Sequence, residues 1–408
     1  MPEATGKPTV LVTDAGRGSA ITIIRSIGRL GWRVIAADSD PGSLGFRSRY
    51  TWSRCVYPSP ETDPPAYVEA MSQAVDDYGV DLIIPVTDAA LLPLSAARDR
   101  FEARCRLAIA SEEALRVVTD KQKTLALAEQ LGVPVPRTCL VETVDEARRA
   151  VETFEWPVVL KPQTSRRFDQ AGVEAFTVTY AEDMSRLVER MSQFEGRCPV
   201  LLQEYFQGEG HGVELLMRDG TPLAAFQHRR LREVPVSGGA SAFRESVPLD
   251  PTLYDYAVRL LKALRWTGLA MVEFKVGKNG ARLMEINGRV WGSLPLAVHS
   301  GMDFPARLAR MYLCDEPAGE GGVDTRYVIG RRSRNLELDV VWIATVLRGK
   351  QRYSFAKTPP RIAGIAALLG MLNPSYRFDI LSLDDPRPGL AEIPRIIRKL
   401  RRKLREAA

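Results

Sequence analysis

The chain has 408 residues, 45% apolar, 26% charged and 8% aromatic, too long for one core and suited to two or three domains of an ordinary soluble globular protein. Five scattered cysteines (Cys55, Cys105, Cys139, Cys198 and Cys314) with no C-x-x-C spacing argue against a disulfide framework or zinc knuckle, and three histidines leave little for a histidine metal centre. The formal charge of +6 equals that of residues 395–408 alone, where seven basic residues face only Glu406, so the body is balanced and no nucleic-acid partner is expected.

Residues 9–110 alternate apolar runs with helical patterns. TVLVTDA is a buried-type strand, Gly16-Arg17-Gly18-Ser19 opens a helix through Leu30, WRVIAADSD is a second strand, a helix follows near 66–78, and VDLIIPVTD is a later strand. That alternation predicts a doubly wound parallel sheet. The turn from Asp14 to Ser19, with Asp38 ending the next strand, partly matches a dinucleotide fingerprint. Ile21 stands where the third glycine would be, so fold geometry is the expected reason for the turn.

A helix begins at Ser111 and Asp120-Lys121 introduces another through Leu131, ended by Gly132-Val133-Pro134-Val135-Pro136. RTCLVE is a strand, a helix runs from Val144 to Phe154, and WPVVLKPQ is a strand with Lys161 at its end. A polar segment from Gln163 to Gly172 precedes the strand VEAFTVT. Residues 200–230 read as antiparallel: VLLQEYF, a turn at Gly208-Glu209-Gly210, GVELLM, an Asp219-Gly220 hairpin and PLAAFQHRR, followed by a helix from Leu253 to Leu264.

Met271 to Arg289 then forms a hairpin with Glu273 on its first strand and Glu285, Asn287 and Arg289 on one face of its second, Met284 and Ile286 pointing the other way. Two carboxylates and an amide on a half-buried surface are hard oxygen ligands of the kind Mg²⁺ takes, completed by phosphates and water. A two-residue Asn279-Gly280 turn would put Glu273 and Glu285 on opposite faces. A three-residue Lys278-Asn279-Gly280 loop would pair Gly277 with Ala281 and set Glu273 opposite Glu285, so the metal reading requires it. Pro317-Ala318-Gly319-Glu320-Gly321-Gly322 reads as a linker, beyond which order is expected to thin.

The C-terminal region holds an apolar segment at 361–372, too short to span a bilayer, and a basic helix whose Ile393, Ile396, Ile397, Leu400 and Leu404 recur at helical spacing. Such a helix can lie on an anionic membrane surface through residues 393–408, or pack on the body or a partner subunit. With no apolar leader at the N-terminus, the expected compartment is the cytoplasm, with peripheral contact to the inner face of the membrane as the variant.

The ordered set Lys121, Lys161, Gln203-Glu204-Tyr205, Glu273, Glu285-Ile286-Asn287 and Arg289 resembles the ATP-grasp superfamily over about residues 5–315. The runs HRRLREVPVSGGASAFRESV, MVEF and MEINGRVWGSLPLA are similar to its carboxylate–amine ligase branch, often labelled carbamoyl-phosphate-synthase-like. The resemblance implies an α/β and α+β chain: a doubly wound domain at 1–115, an ATP-grasp fold at 116–318 and a C-terminal helical extension at 319–408. It implies ATP, with Lys161 at the adenine and α-phosphate, Lys121 at another phosphate oxygen, Gln203, Glu204, Tyr205 and Phe206 lining the adenine pocket, and Glu209 or its competitor Glu214 at the ribose. The loop from Thr164 to Gly172 would cover the phosphates, with Arg166 and Arg167 supplementing backbone amides. Glu273, Glu285 and Asn287 would hold two Mg²⁺ ions, for which Mn²⁺ could substitute, and Arg289 would stabilise the transferring phosphoryl group.

On the acceptor side, His228, Arg229, Arg230 and Arg232, the segment Ser237–Ser241 and Trp291-Gly292-Ser293 are candidates, with Arg230 and Arg244 favoured. The implied reaction activates a small carboxylate as an acyl phosphate and couples it to an amine; a homodimer is an admissible assembly. Rival readings keep the fold as a phosphotransferase or a carbamoyl-phosphate-forming enzyme, or place a nicotinamide on residues 9–110.

Overall fold

The computed structural model describes residues 6–164, 166–169, 172–314, 322–349 and 353–405, with side chains described outside 165–175 and 400–408. The expected linker and the expected phosphate-covering arginines, Arg166 and Arg167, therefore fall outside the described residues or side chains.

β1 (Thr9–Val12), β2 (Arg33–Asp38), β3 (Ser53–Val56), β4 (Leu82–Ile84) and β5 (Arg106–Leu107) make one parallel sheet in the order β3-β2-β1-β4-β5. Every residue of β1 is buried because helices cover both faces, which is why it reads as an unbroken apolar run. Asp38 is spent inside this sheet: its carboxylate accepts from Gly16 N at 2.7 Å and Ser43 Oγ at 2.8 Å. Ile21 is buried against Leu44 and Ile380. Through its bond to Gly16 N, Asp38 holds the glycine turn in place.

β6 (Thr138–Val141), β7 (Val158–Pro162), β10 (Thr179–Ala181) and β11 (Val200–Glu204) form an antiparallel sheet ordered β10-β7-β11-β6, while β8 (Arg166–Asp169) and β9 (Gly172–Ala175) pair as a ribbon. The expected strand VEAFTVT is thus broken between Ala175 and Thr179. Helices Val144–Val151 and Met184–Met191 bury Ala147, Leu187 and Met191 against this sheet as a separate small core. The first of these helices starts on a capping box of Thr143 and Glu146.

The largest sheet has seven strands, β16-β15-β12-β13-β14-β17-β18, from β12 (Glu209–Arg218), β13 (Thr221–Val234), β14 (Ala240–Ser246), β15 (Gly268–Gly277), β16 (Gly280–Asn287), β17 (Arg332–Arg334) and β18 (Tyr376–Phe378). One face, through Val213, Leu215, Val272 and Phe274, joins helix Pro251–Ala263 and the parallel sheet's helices in one core. The other face packs Leu216, Phe226 and Met271 at one end and opens as a cleft at the other.

The C-terminal region is more ordered than its sequence suggests. Besides helices Leu336–Arg348 and Arg361–Leu369 it supplies β17 and β18, and helix Pro386–Arg405 returns to the first sheet. Ile396 is buried, Arg395 pairs with Asp40 and Lys399 with Glu337, so the described part of the basic helix packs on the body. Ile393 and Ile397 stay partly exposed. Among the described residues no helix is long and apolar enough to cross a membrane.

The return of this helix is pinned by Asp385. Its buried carboxylate accepts from Arg25 Nε at 3.0 Å, Ser48 Oγ at 2.7 Å and Arg49 N at 2.9 Å. Breaking a buried pair leaves an uncompensated charge, so Asp385→Ala should cost about 3 kcal/mol of unfolding free energy in urea titration. Asp384→Ala, removing a partly exposed neighbour, should cost under about 1 kcal/mol.

Candidate active site

The β15–β16 hairpin sets the chemistry. Gly277 pairs with Gly280, so the connection is a two-residue turn at Lys278-Asn279 and the expected three-residue loop is wrong. Continued regularly, that register would set Glu273 against Met284. A bulge instead lets Met284 and Leu283 share the step between Phe274 and Glu273, and Glu285 arrives opposite Glu273 after all. The bulge also corrects Met284: Leu283 and Ile286 enter the core, whereas Met284 lines the cleft beside Glu285.

The two carboxylates meet through an amide. Asn287 Nδ2 donates to Glu273 Oε1 at 2.9 Å and lies 3.4 Å from Glu285 Oε1. Gly288 follows because a Cβ there would lie 2.5 Å from the Trp266 ring, and this close approach brings Arg289 back to the cleft. Arg289 Nε contacts, at 3.2 Å, Oδ2 of Asp88, the first residue of helix Asp88–Ala96 after β4. Burial works against the Arg289 cation, but Asp88, Glu285 and Glu273 outweigh it and hold its pKa above the usual value.

Opposite lie the lysines. Lys161, near the end of β7, faces the carboxylates across the cleft, and burial draws its ammonium down to about 8 against the pull of Glu285. Lys121 starts helix Lys121–Gln130, its backbone N–H donating to Gln163 O at 3.2 Å; burial lowers it too, again opposed by Glu285. Glu273 is raised by burial, with Arg230 acting against this and Glu285 adding to it. The cleft, about 400 Å³, is continuous through Glu285, Asn287 and Arg289 with a 230 Å³ cavity lined by Lys121, Asp88 and Thr164.

At the far end, Gln203, Glu204, Tyr205 and Phe206 leave β11 in sequence and all line the cleft. The Gln203 and Glu204 side chains are tied back, Gln203 Nε2 donating to Thr138 Oγ1 and Glu204 Oε1 accepting from Arg137 N, while Glu204 N donates to Arg137 O. Tyr205 packs edge-on against Tyr180 and Phe355.

Strand parity settles the remaining candidates. Even positions of β12 and β13 face the cleft side, so Glu209 turns to the other face, exposed and 3.8 Å from Arg229. Glu214 has the right parity but lies too deep: it is 0% exposed, accepts from Ser293 Oγ at 3.1 Å and sits 3.0 Å from His228 Nδ1. Neither acid lines the cleft, which corrects both as ribose ligands. Arg244 is likewise buried, paired with Asp379 Oδ1 at 2.5 Å, and does not face the acceptor space. Of the basic run, Arg229 pairs with Glu245 and Arg232 with Asp339; Arg230 reaches the cleft, bridging Glu273 and Glu233.

Three cleft residues escape a first reading of the sequence. Lys275 was readable, since it lies two positions after Glu273 on one strand. Glu233 was not, because irregular pairing after Arg230 reverses the parity that would have favoured Arg232. Asp88 comes from the first sheet, and no local pattern links it to Arg289.

A parallel sheet followed by an antiparallel and a mostly antiparallel sheet around a lysine- and carboxylate-lined cleft is the ATP-grasp arrangement. Residues 197–329 match the family described as ATP-grasp in the biosynthetic pathway with Ter operon, and the chain carries an ATP-grasp domain. Among solved structures, an L-amino acid ligase from Bacillus licheniformis superposes with TM-score 0.60 at 17% identity, covering 77% of each chain. An N5-carboxyaminoimidazole ribonucleotide synthetase in complex with ADP gives 0.64 at 12% identity, over 90% of this chain and 96% of that one. The biotin carboxylase domain of Hydrogenobacter thermophilus 2-oxoglutarate carboxylase, with MgADP and bicarbonate, gives 0.59 at 19% identity, over 80% of this chain and 72% of that one. In sequence, the carbamoyl phosphate synthase large chain of Acidobacterium capsulatum is 24% identical over 226 residues, 53% of this chain. The chain spans only about a fifth of that relative's length, 20%.

The Lys161 shift has a measurable consequence. Its charged form predominates below about 8 and is lost above it, so nucleotide affinity should fall as pH rises through that value. Calorimetric titration with ATP from pH 7 to 9.5 should show this decline in the native protein. Lys161→Arg, which stays charged, should flatten it.

Proposed function

We propose that the protein is an ATP-dependent ligase that joins a carboxylate to an amine. One observation carries the reading: Lys161, Lys121 and Arg289 converge with Glu273, Glu285 and Asn287 in one cleft whose far end is lined by the aromatic residues Tyr180, Tyr205 and Phe206. The ligase and synthetase named among the similar structures support it.

In this reading Gln203 to Phe206 hold the adenine, Lys161 and Lys121 neutralise phosphate oxygens, and Arg289 stabilises charge on the transferring group. The substrate carboxylate attacks the γ-phosphorus, the bond to the β-bridging oxygen breaks, and ADP leaves. An amine then adds to the acyl phosphate, losing a proton and expelling phosphate to leave an amide.

The donor set fits Mg²⁺. It consists of carboxylates and an amide with no thiol or imidazole, and among the described residues no third acidic or histidine ligand completes a cage, as suits an ion that takes its remaining ligands from phosphates and water. Glu273, Glu285 and Asn287 would hold two such ions, or Mn²⁺ in their place, which when bound offset the charge of the β- and γ-phosphates. Arg230, paired with Glu273, provides the balancing charge on the protein's side.

Glu233 takes the ribose role expected of Glu209. Glu233 lines the cleft beside Gly210, where a Cβ would lie 2.9 Å from Arg230 Cδ and 3.4 Å from Glu233 Oε1.

Incubation with ATP, Mg²⁺ and mixed pools of carboxylates and amines should yield an amide by mass spectrometry, with ADP and phosphate. A phosphorylated metabolite without amide would favour the phosphotransferase alternative, and carbamoyl phosphate the synthase-like one. Glu285→Ala should reduce turnover on the order of 100-fold or more with an unchanged melting curve. Glu233→Ala should raise the KM for ATP about tenfold, the loss of one charged hydrogen bond, yet barely affect 2′,3′-dideoxy-ATP.

A further inference from the structure

Helix Arg361–Leu369 and the 3₁₀ turn Gly370–Leu372 that follows it present an apolar face to solvent. Ile362, Ile365, Leu368, Leu369 and Leu372 are between 46% and 83% exposed. Single exposed aliphatics are ordinary on a protein surface, but five along one element make a patch of the kind that marks an interaction site. The element lies outside the family match at 197–329 and supplies no lining residue to the nucleotide cleft.

The helix cannot turn this face inward, because its other face is already packed. Ala367 is buried with Trp342, Ile343 and Val346 of helix Leu336–Arg348, and Ala363 and Met371 close on the same cluster. At Gly364 the two helices approach so closely that a Cβ would lie 3.0 Å from Leu347 Cδ2 and 3.4 Å from Val346 Cγ1. Helical spacing puts Arg361, Ile365, Leu368 and Leu372 on one stripe, with Ile362 and Leu369 beside it, opposite Ala363 and Ala367.

The charge along this part of the chain has one sign. Residues 340–376 hold Arg348, Lys350, Arg352, Lys357 and Arg361 and no Asp or Glu. Arg361 opens the helix itself, and its guanidinium lies over the end of the neighbouring helix, where a Cβ on Gly349 would be 3.5 Å from Arg361 Nε; Arg348 immediately precedes that glycine. Arg348, Lys357 and Arg361 are exposed and make no ion pair among the described residues. An aliphatic face that begins at free cations is complementary to a surface that is anionic outside and apolar beneath. A second copy of the chain is not such a surface, since a two-fold contact would offer these cations only the same acid-free segment.

We propose that helix Arg361–Leu369 docks the protein on an anionic bilayer surface, its aliphatic face entering the boundary between headgroups and acyl chains while Arg348 and Arg361 meet lipid phosphates. The helix is too short to span a bilayer and lies in the plane of the interface. It is a different element from the basic C-terminal helix, whose Arg395 and Lys399 are engaged on the body. The proposal goes beyond the ligase reading and does not depend on it.

The test is co-sedimentation of the full chain, at low salt, with vesicles of equimolar phosphatidylcholine and phosphatidylglycerol and with vesicles of phosphatidylcholine alone. Binding to the anionic vesicles should be on the order of tenfold tighter. Ile365→Ser combined with Leu369→Ser should weaken it on the order of tenfold or more, as should Arg348→Ala combined with Arg361→Ala, with unchanged melting curves. Val56→Ser, which alters an exposed aliphatic on β3 of the first sheet, should not. No binding to anionic vesicles, or binding indifferent to the helix substitutions, overturns the proposal. Binding lost only on removing residues 400–408 assigns the contact to the tail and overturns it too. A dimer dissolved by the paired serine substitutions, without vesicle binding, gives the face to a second copy instead.

Discussion

Two carboxylates on facing strands, sharing one amide nitrogen, are the constraint around which the rest of the cleft is arranged. Both lie within reach of Asn287 Nδ2, at 2.9 and 3.4 Å, so their charges repel at short range, in addition to any cost of burial. Glu273 answers by a raised pKa and by its pair with Arg230, and the Lys161, Lys121 and Arg289 cations face the same acids. The cations lose hydration, the acids lose separation, and each offsets part of the other's cost. Three different elements must therefore converge: β7, the start of helix Lys121–Gln130, and the β15–β16 hairpin.

The C-terminal region enters the same economy of charge at a distance. Arg244 with Asp379 and Arg334 with Asp339 are both buried pairs, and both tie residues beyond 330 to the large sheet. Buried pairs add little net stability against well-packed apolar substitutes, yet they tolerate no misplacement, because a displaced partner leaves a bare charge. They fix where β17, β18 and helix Leu336–Arg348 sit. Arg244 is thus a structural residue whose neighbours, Ser241 and Gly292, reach the cleft in its stead.

How much of this was legible follows the parity of the strands. Period-two reasoning placed Glu273, Glu285 and Asn287 on one face and could have placed Lys275 with them. It failed wherever a bulge intervened. At Met284 the extra residue rescued the carboxylate pairing by a route no turn rule suggested, and after Arg230 irregular pairing brought Glu233 to the cleft instead of Arg232. A bulge depends on how two strands fit, and neither strand's own pattern of apolar and polar residues encodes it. The alternating elements of residues 9–110 were readable because both faces of that sheet are covered. The strands β17 and β18 were not, since each is three residues long and paired with partners far away in sequence.

The parallel sheet ends where the antiparallel one opens, and that junction explains why its glycine turn carries no dinucleotide fingerprint. Ligands of open α/β sheets gather at the carboxyl ends of the strands. Here those ends are occupied from within: Asp38 at the end of β2 ties down Gly16, and Asp88 beyond β4 reaches across to Arg289. Gly18 is packed tightly too, a Cβ there falling 3.3 Å from Asp379 of the C-terminal region. The crevice that a dinucleotide would fill has become one wall of a groove whose other wall is the last helix, and the first domain meets the cleft through Asp88 rather than through a phosphate loop of its own.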